Sequence, residues 1–132
     1  MTKPPLSKII LIDDDPDILL IAKYSLENMQ GVSIKYCDSG QEGIKEALDF
    51  QPDLILVDVM MPNMDGIAFI EAMRLIPILA KIPVAFLTAK IQKEDLDPYN
   101  AIGIKEVITK PFDPIKLPEE IQKLWEKVST PQ

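Results

Sequence analysis

The chain has 132 residues, 47% of them apolar and 27% charged, with a net charge of −7. That is enough for one domain with a buried core. No apolar run approaches the roughly 20 residues needed to span a bilayer, and Met1 to Ser7 lacks the apolar stretch of a secretory signal. Histidine is absent and Cys37 is the only cysteine. His-based triads, His metal sites, a phosphohistidine on this chain and an internal disulfide are thereby excluded, and a reducing cytoplasm is expected. Lys and Arg are scattered, so direct nucleic-acid binding is not expected.

Ile9 to Ile12 reads as a buried strand. Asp15-Pro16 opens a helix as N-cap and first position, with Ile18, Ala22, Leu26 and Met29 at helical spacing and Gly31 at its end. Val32, Ile34 and Tyr36 alternate with Ser33, Lys35 and Cys37, a strand with one wetter face. Ser39 and Glu42 form a capping-box pattern ahead of Ile44, Ala47 and Leu48, and Gln51-Pro52-Asp53 breaks that helix. Leu54 to Val57 is apolar throughout, as expected of a central strand covered on both faces. Asp65-Gly66 opens a third helix with Ile67, Ile70 and Met73 inward.

Pro83 to Leu87 is the fourth predicted strand, and a short polar helix is expected near Lys93 to Ala101, closed by Gly103. Val107 and Ile108 mark the fifth strand. The last helix carries Leu117, Ile121, Leu124 and Val128 on one face. Asp113-Pro114 resembles a cap and first position for it, but Pro118 lacks the N–H to bond the carbonyl of Pro114. The regular helix is therefore expected to begin near Pro118, after a separate turn. Five strand–helix units with short links predict an α/β fold, a doubly wound five-stranded parallel sheet, flavodoxin-like, in the order 2-1-3-4-5. The domain is expected over residues 8–128, between tails at 1–7 and 129–132.

Ligands in such folds bind beyond the carboxyl ends of the strands. Strand one ends in Asp13, Asp14 and Asp15, strand three in Asp58, strand four in Thr88 and strand five in Lys110. Each alone has a plain structural role: Asp15 as a helix cap, Asp58 as a turn residue, Thr88 bonding nearby backbone, Lys110 as a solvated charge. The fold brings them into one pocket. Like charges ~4 Å apart repel by about 4 kcal/mol at an effective dielectric near 20, so Asp13, Asp14 and Asp58 call for a cation. An oxygen-only donor set points to Mg²⁺ over Zn²⁺. A carboxylate acceptor, a divalent cation, Lys110 and a Thr88 hydroxyl suit phosphoryl transfer, which needs positioning and charge neutralisation.

These residues resemble the receiver domain of two-component response regulators over nearly the whole chain, from about Lys8 to Val128. Ile9-Ile10-Leu11-Ile12-Asp13-Asp14-Asp15-Pro16 is similar to that family's opening strand and acidic pocket. Asp58-Val59-Met60-Met61-Pro62-Asn63-Met64-Asp65-Gly66 is similar to its phosphoacceptor loop, and Leu87-Thr88-Ala89 and Lys110-Pro111-Phe112 to the ends of strands four and five. The resemblance implies Asp58 as the phosphorylation site, accepting from a phosphohistidine in a Mg²⁺-dependent reaction. It implies Asp14 as a direct Mg²⁺ ligand, joined by Asp58 and the backbone carbonyl of Met60, with Asp13 holding a metal-bound water or standing behind it. It further implies that Thr88 binds a phosphoryl oxygen and couples its arrival to motion, and that Lys110 pairs with Asp58 before transfer and with the phosphoryl group after it. The Lys110–Pro111 peptide is expected to be cis.

The implied partners are a sensor histidine kinase or histidine phosphotransfer protein and a downstream protein target, with no membrane and no direct nucleic acid. The chain is not expected to be an enzyme beyond self-catalysed transfer and slow autodephosphorylation. Met60 and Lys90, two residues beyond Asp58 and Thr88, are expected to set that slow rate. Val107 departs from the family, which commonly carries Tyr or Phe there; with no ring to swing inward, the output switch is expected to be weaker or carried by loop movement. An Asp-nucleophile phosphatase wants a second acid where Met60 stands, and flavodoxins want a Ser/Thr-rich loop where three Asp residues stand. A degenerate receiver serving only as a docking module would typically lose an acid, the Thr or the Lys, and all are kept. A start at Met1 and an end at Thr130-Pro131-Gln132 lean toward a stand-alone regulator.

Overall fold

The computed structural model describes residues 4–89, 101–104 and 106–128. In chain order they form β1 (Lys8–Ile12), α1 (Pro16–Leu26), β2 (Ser33–Cys37), α2 (Gly40–Phe50), β3 (Leu54–Asp58), α3 (Gly66–Arg74), β4 (Val84–Thr88), β5 (Val107–Thr109) and α4 (Leu117–Lys127). The strands make one parallel sheet in the order β2-β1-β3-β4-β5, as expected. The expected helix near Lys93 to Ala101 falls, but for Ala101, outside the described residues.

Period-two alternation splits the core into two layers. Ile9, Leu11, Leu54, Leu56, Ala85 and Leu87 face α1 and α4, against Ala22, Leu26, Leu117, Ile121, Leu124 and Trp125. Ile10, Ile12, Ile55, Val57, Val84 and Phe86 face α2 and α3, against Ala47, Phe69, Ile70 and Met73. β1, β3 and β4 are therefore apolar over residues 9–12, 54–57 and 84–87, because both of their faces are covered there. The wetter β2 lies at an edge of the sheet.

Caps explain most helix starts. Asp15 accepts from the Asp17 N–H, Ser39 from the Glu42 N–H and Asp65 from the Ala68 N–H. α1 stops a turn earlier than its apolar spacing predicts: Met29 donates to the Leu26 carbonyl in a tight last turn, and Gly31 takes a φ of +75°. α2 turns Gly40, Gly43 and Ala47 inward, so Leu48 is 45% exposed instead of joining the core. α4 begins at Leu117, after a turn in which Lys116 and Leu117 both donate to the Asp113 carbonyl. This is the displaced start that Pro118 dictates.

Residues 4–7, set apart above as part of a tail, are packed. Leu6 is buried, Trp125 Nε1–H donates to the Pro4 carbonyl at 3.0 Å, and Ser7 N–H donates to Asp53 Oδ2 at 2.9 Å. The N-terminal segment is thus a strap across α4.

Cys37 closes β2 and is buried. Burial, then the charges of Glu42, Glu46 and Asp38, push its thiol up to about 12, and burial alone pushes Tyr36 up to about 12. The thiolate is the reactive form, so iodoacetamide at pH 8 is expected to spare the native protein and to label it fully in denaturant. The unfolded thiol ionises near pH ~8.5 while the folded one stays protonated. Stability should therefore fall as pH rises above that value, which urea melts at neutral and alkaline pH would measure. Rapid native labelling at pH 8 would contradict the burial.

Candidate functional site

Strand order reverses between β1 and β3, and there the carboxyl ends of the two strands open a crevice. Asp13 follows β1 and Asp58 ends β3. Both are buried, at 0% and 3% exposure, while Asp14 is exposed. One carboxylate oxygen from each of the three lies within 4.8 Å of the others. The opening is lined by Asp13, Asp14, Asp15, Pro16, Asp58, Met60, Ala89 and Lys110.

Lys110 reaches in from the end of β5. Its Nζ lies 3.0 Å from Asp13 Oδ2 and 3.3 Å from Asp58 Oδ1. The expected pairing with Asp58 is present, and a closer one with Asp13 was not foreseen. The Lys110–Pro111 peptide is cis, as expected. Asp13 Oδ1 accepts the Asp15 N–H at 2.9 Å, so each of its oxygens already has a partner. Asp58 Oδ1 also accepts the Met60 N–H at 3.2 Å.

Burial, followed by the Asp13 charge, pushes the Asp58 carboxyl up to about 6; Lys110 and the Met60 N–H pull the other way. Burial works to lower Lys110, but its hydrogen bond to Asp13 and the charges of Asp13 and Asp58 outweigh it, leaving Lys110 above its usual value. A pocket that resists a second negative charge, with oxygen donors close together, fits a small divalent cation.

Thr88 is buried at the end of β4, next to Ala89, which lines the opening. Ala89 belonged to the fourth-strand pattern but carried no assigned role in the sequence; a small side chain there leaves the mouth open. Asp15 is at the rim and serves α1 as its cap. Val107 lies outside the opening and packs partly against the α2/α3 core layer. Lys90 lies outside the described residues. Gly66 is fixed by close approach: a Cβ there would sit 2.9 Å from the Asp58 carbonyl and 3.0 Å from Val59 Cα. The α3 start can press against the loop after β3 only without a side chain.

Fold and pocket define a flavodoxin-like α/β module of the chemotaxis-regulator type. The sequence profile of the response regulator receiver domain matches residues 9–122, and the chain belongs to that family, the receivers of two-component systems. It is 35% identical over 107 residues to the alkaline phosphatase synthesis transcriptional regulatory protein PhoP of Bacillus subtilis, covering 81% of this chain and 43% of that protein. It is 38% identical over 106 residues to the DNA-binding dual master transcriptional regulator RpaA of a Synechocystis strain, covering 80% of this chain and 44% of that protein. The chain thus spans less than half the length of these relatives. The crystal structure of the chemotaxis protein CheY4 of Vibrio cholerae superposes with a TM-score of 0.80 at 27% identity, covering 90% of this chain and 98% of that one. Among the described residues, no helix is long and apolar enough to cross a membrane.

Proposed function

We propose that the protein is a phosphorylated signalling receiver, in which Asp58 accepts a phosphoryl group from a phosphohistidine on a sensor kinase or phosphotransfer protein. The observation that carries this reading is the meeting of three carboxylate oxygens within 4.8 Å, with Lys110 Nζ on two of those residues. Asp14, Asp58 and the Met60 carbonyl would hold Mg²⁺, with Asp13, already engaged at both oxygens, behind them. The ion would supply positive charge against the phosphoryl oxygens.

The chain's own groups do the rest. A carboxylate oxygen of Asp58 attacks phosphorus in line, the P–O bond forms as the P–N bond to the donor imidazole breaks, and the donor, carrying a proton on its other ring nitrogen, leaves as neutral imidazole. Lys110 offsets charge on a phosphoryl oxygen and the Thr88 hydroxyl donates to another. With Val107 in place of an aromatic ring, the response is weaker or carried by loop movement alone. A downstream protein, or a further domain such as those of the longer relatives, would read it. The cytoplasm, where kinase and nucleotide meet, is the proposed compartment.

The donor's landing surface is read on α1 and the turn before α4. Leu20 and Tyr24, 65% and 76% exposed, lie one turn apart on α1, and Ile115, 89% exposed, lies on the turn that Ser25 Oγ–H ties to α1 through the Pro114 carbonyl. Tyr24→Ala is expected to slow transfer from a protein donor about tenfold, about 1.4 kcal/mol, while labelling by acetyl phosphate is unchanged. Equal slowing with both donors would remove this surface from the reading.

The whole reading is tested by incubating the protein with acetyl phosphate and Mg²⁺. One added phosphoryl mass, lost on treatment with hydroxylamine, is expected. A docking-only receiver would gain no mass.

A further inference from the structure

Three of the chain's six methionines, Met60, Met61 and Met64, crowd the loop after β3. Their surroundings differ sharply. Met61 is 9% exposed and Met73, on α3, is 1% exposed. Met64 is partly buried and packed against Gly40, where a Cβ would meet its Sδ at 2.7 Å. Met60 is 78% exposed. Its backbone N–H donates to Asp58 Oδ1, and the residue lines the same opening as Asp13, Asp14, Asp58 and Lys110. The most accessible thioether among the described residues therefore sits at the mouth of the acidic pocket.

We propose that Met60 is a site of oxidative modification, and that its conversion to the sulfoxide by hydrogen peroxide shortens the life of the phosphoryl group on Asp58. The second half rests on the phosphoacceptor role proposed above. A sulfur lone pair attacks one peroxide oxygen, the O–O bond breaks and an S–O bond forms. The departing hydroxide takes the proton of the new sulfur-bound hydroxyl and leaves as water, so the thioether loses two electrons and the peroxide gains them. The product changes the mouth of the pocket chemically. A thioether accepts hydrogen bonds poorly, whereas a sulfoxide oxygen accepts them well. Beside Asp58 it would hold a water that an unmodified Met60 leaves unheld and partly screened, and that water is the nucleophile for loss of the phosphoryl group. Methionine sulfoxide reductases reverse the change, which makes the effect a switch instead of damage. The buried Met61 and Met73 are shielded from the same oxidant.

The test begins with a dilute peroxide treatment and peptide mass mapping, which should find oxygen on Met60 well before Met61 or Met73. Treated and untreated protein are then loaded from acetyl phosphate with Mg²⁺, the donor is removed, and loss of the phosphoryl mass is followed. The treated pool is expected to lose it about fivefold faster, which is roughly 1 kcal/mol off the barrier. Reductase treatment should restore the slower rate, and in Met60→Leu peroxide should leave the rate where it was. Oxidation elsewhere first, or a decay that ignores peroxide in a protein that loads normally, overturns this proposal alone. Untreated protein that never loads overturns it together with the phosphoacceptor reading.

Discussion

Asp58→Ala is expected to abolish phosphoryl labelling entirely, from acetyl phosphate and from a protein donor alike. The two neighbouring carboxylates cannot substitute. Asp13 is fully buried, with one oxygen on the Asp15 N–H and the other on Lys110. Asp14 lies beyond the end of β1, exposed, without the contact to Lys110 that Asp58 has. Folding should survive the change, because Lys110 keeps Asp13 as partner and one source of like-charge repulsion is gone. A circular dichroism melt run beside the labelling separates loss of the acceptor from loss of the fold. Labelling of the alanine variant at the wild-type level would remove Asp58 from its assigned place.

The second large effect concerns the metal. Chelation with EDTA is expected to stop labelling, and Mg²⁺ to restore it and also to raise the melting temperature of the unphosphorylated protein. A ligand that binds only the folded state at tenfold its dissociation constant adds about 1.4 kcal/mol. Asp14 brings a third carboxylate to within 4.8 Å of the other two, and Lys110 is paired with Asp13 and Asp58. Asp14→Asn should therefore melt higher than the parent in EDTA, lose its response to Mg²⁺ and label poorly. The opposite signs of its effects on stability and on labelling distinguish it from a simple folding defect. A melt of the parent protein that ignores millimolar Mg²⁺ would count against an acidic metal pocket.

The sheet order and the gathering of Asp13, Asp14, Asp58 and Lys110 could be read from the sequence because both follow from local rules. Continuous apolar strands, capped helices and short links leave few ways to close the sheet, and strand ends then bring the polar residues together. What the sequence hid was set by tertiary contacts. Leu48 has the spacing of a core residue, but small Gly40 and Gly43 are the ones that turn inward beside the expected Ala47. Phe69 and Trp125 are core residues that helical spacing alone did not pick out, since the width of each buried face depends on what packs against it. Lys110 choosing Asp13 at 3.0 Å over Asp58 at 3.3 Å is a matter of fractions of an ångström that no spacing rule supplies. Pro4 to Ser7 read as a tail because two prolines, one leucine and one serine are too few to carry a periodic signal, whereas their anchors, Trp125 and Asp53, lie far along the chain.

That anchoring has an optical consequence. Trp125 is the chain's one indole, and its ring nitrogen is held by the carbonyl of Pro4, just ahead of the point where β1 begins. Asp58 sits where β3 ends, a strand length away, about 13–17 Å for five residues. Emission from this fluorophore therefore follows the grip of the strap on α4, and it will brighten, dim or shift colour when that grip is lost on unfolding. Events in the acidic crevice take place outside the ring's immediate surroundings. Intrinsic fluorescence in this receiver is thus a gauge of integrity, and occupancy of the crevice has to be followed by a dye placed near its mouth or by mass.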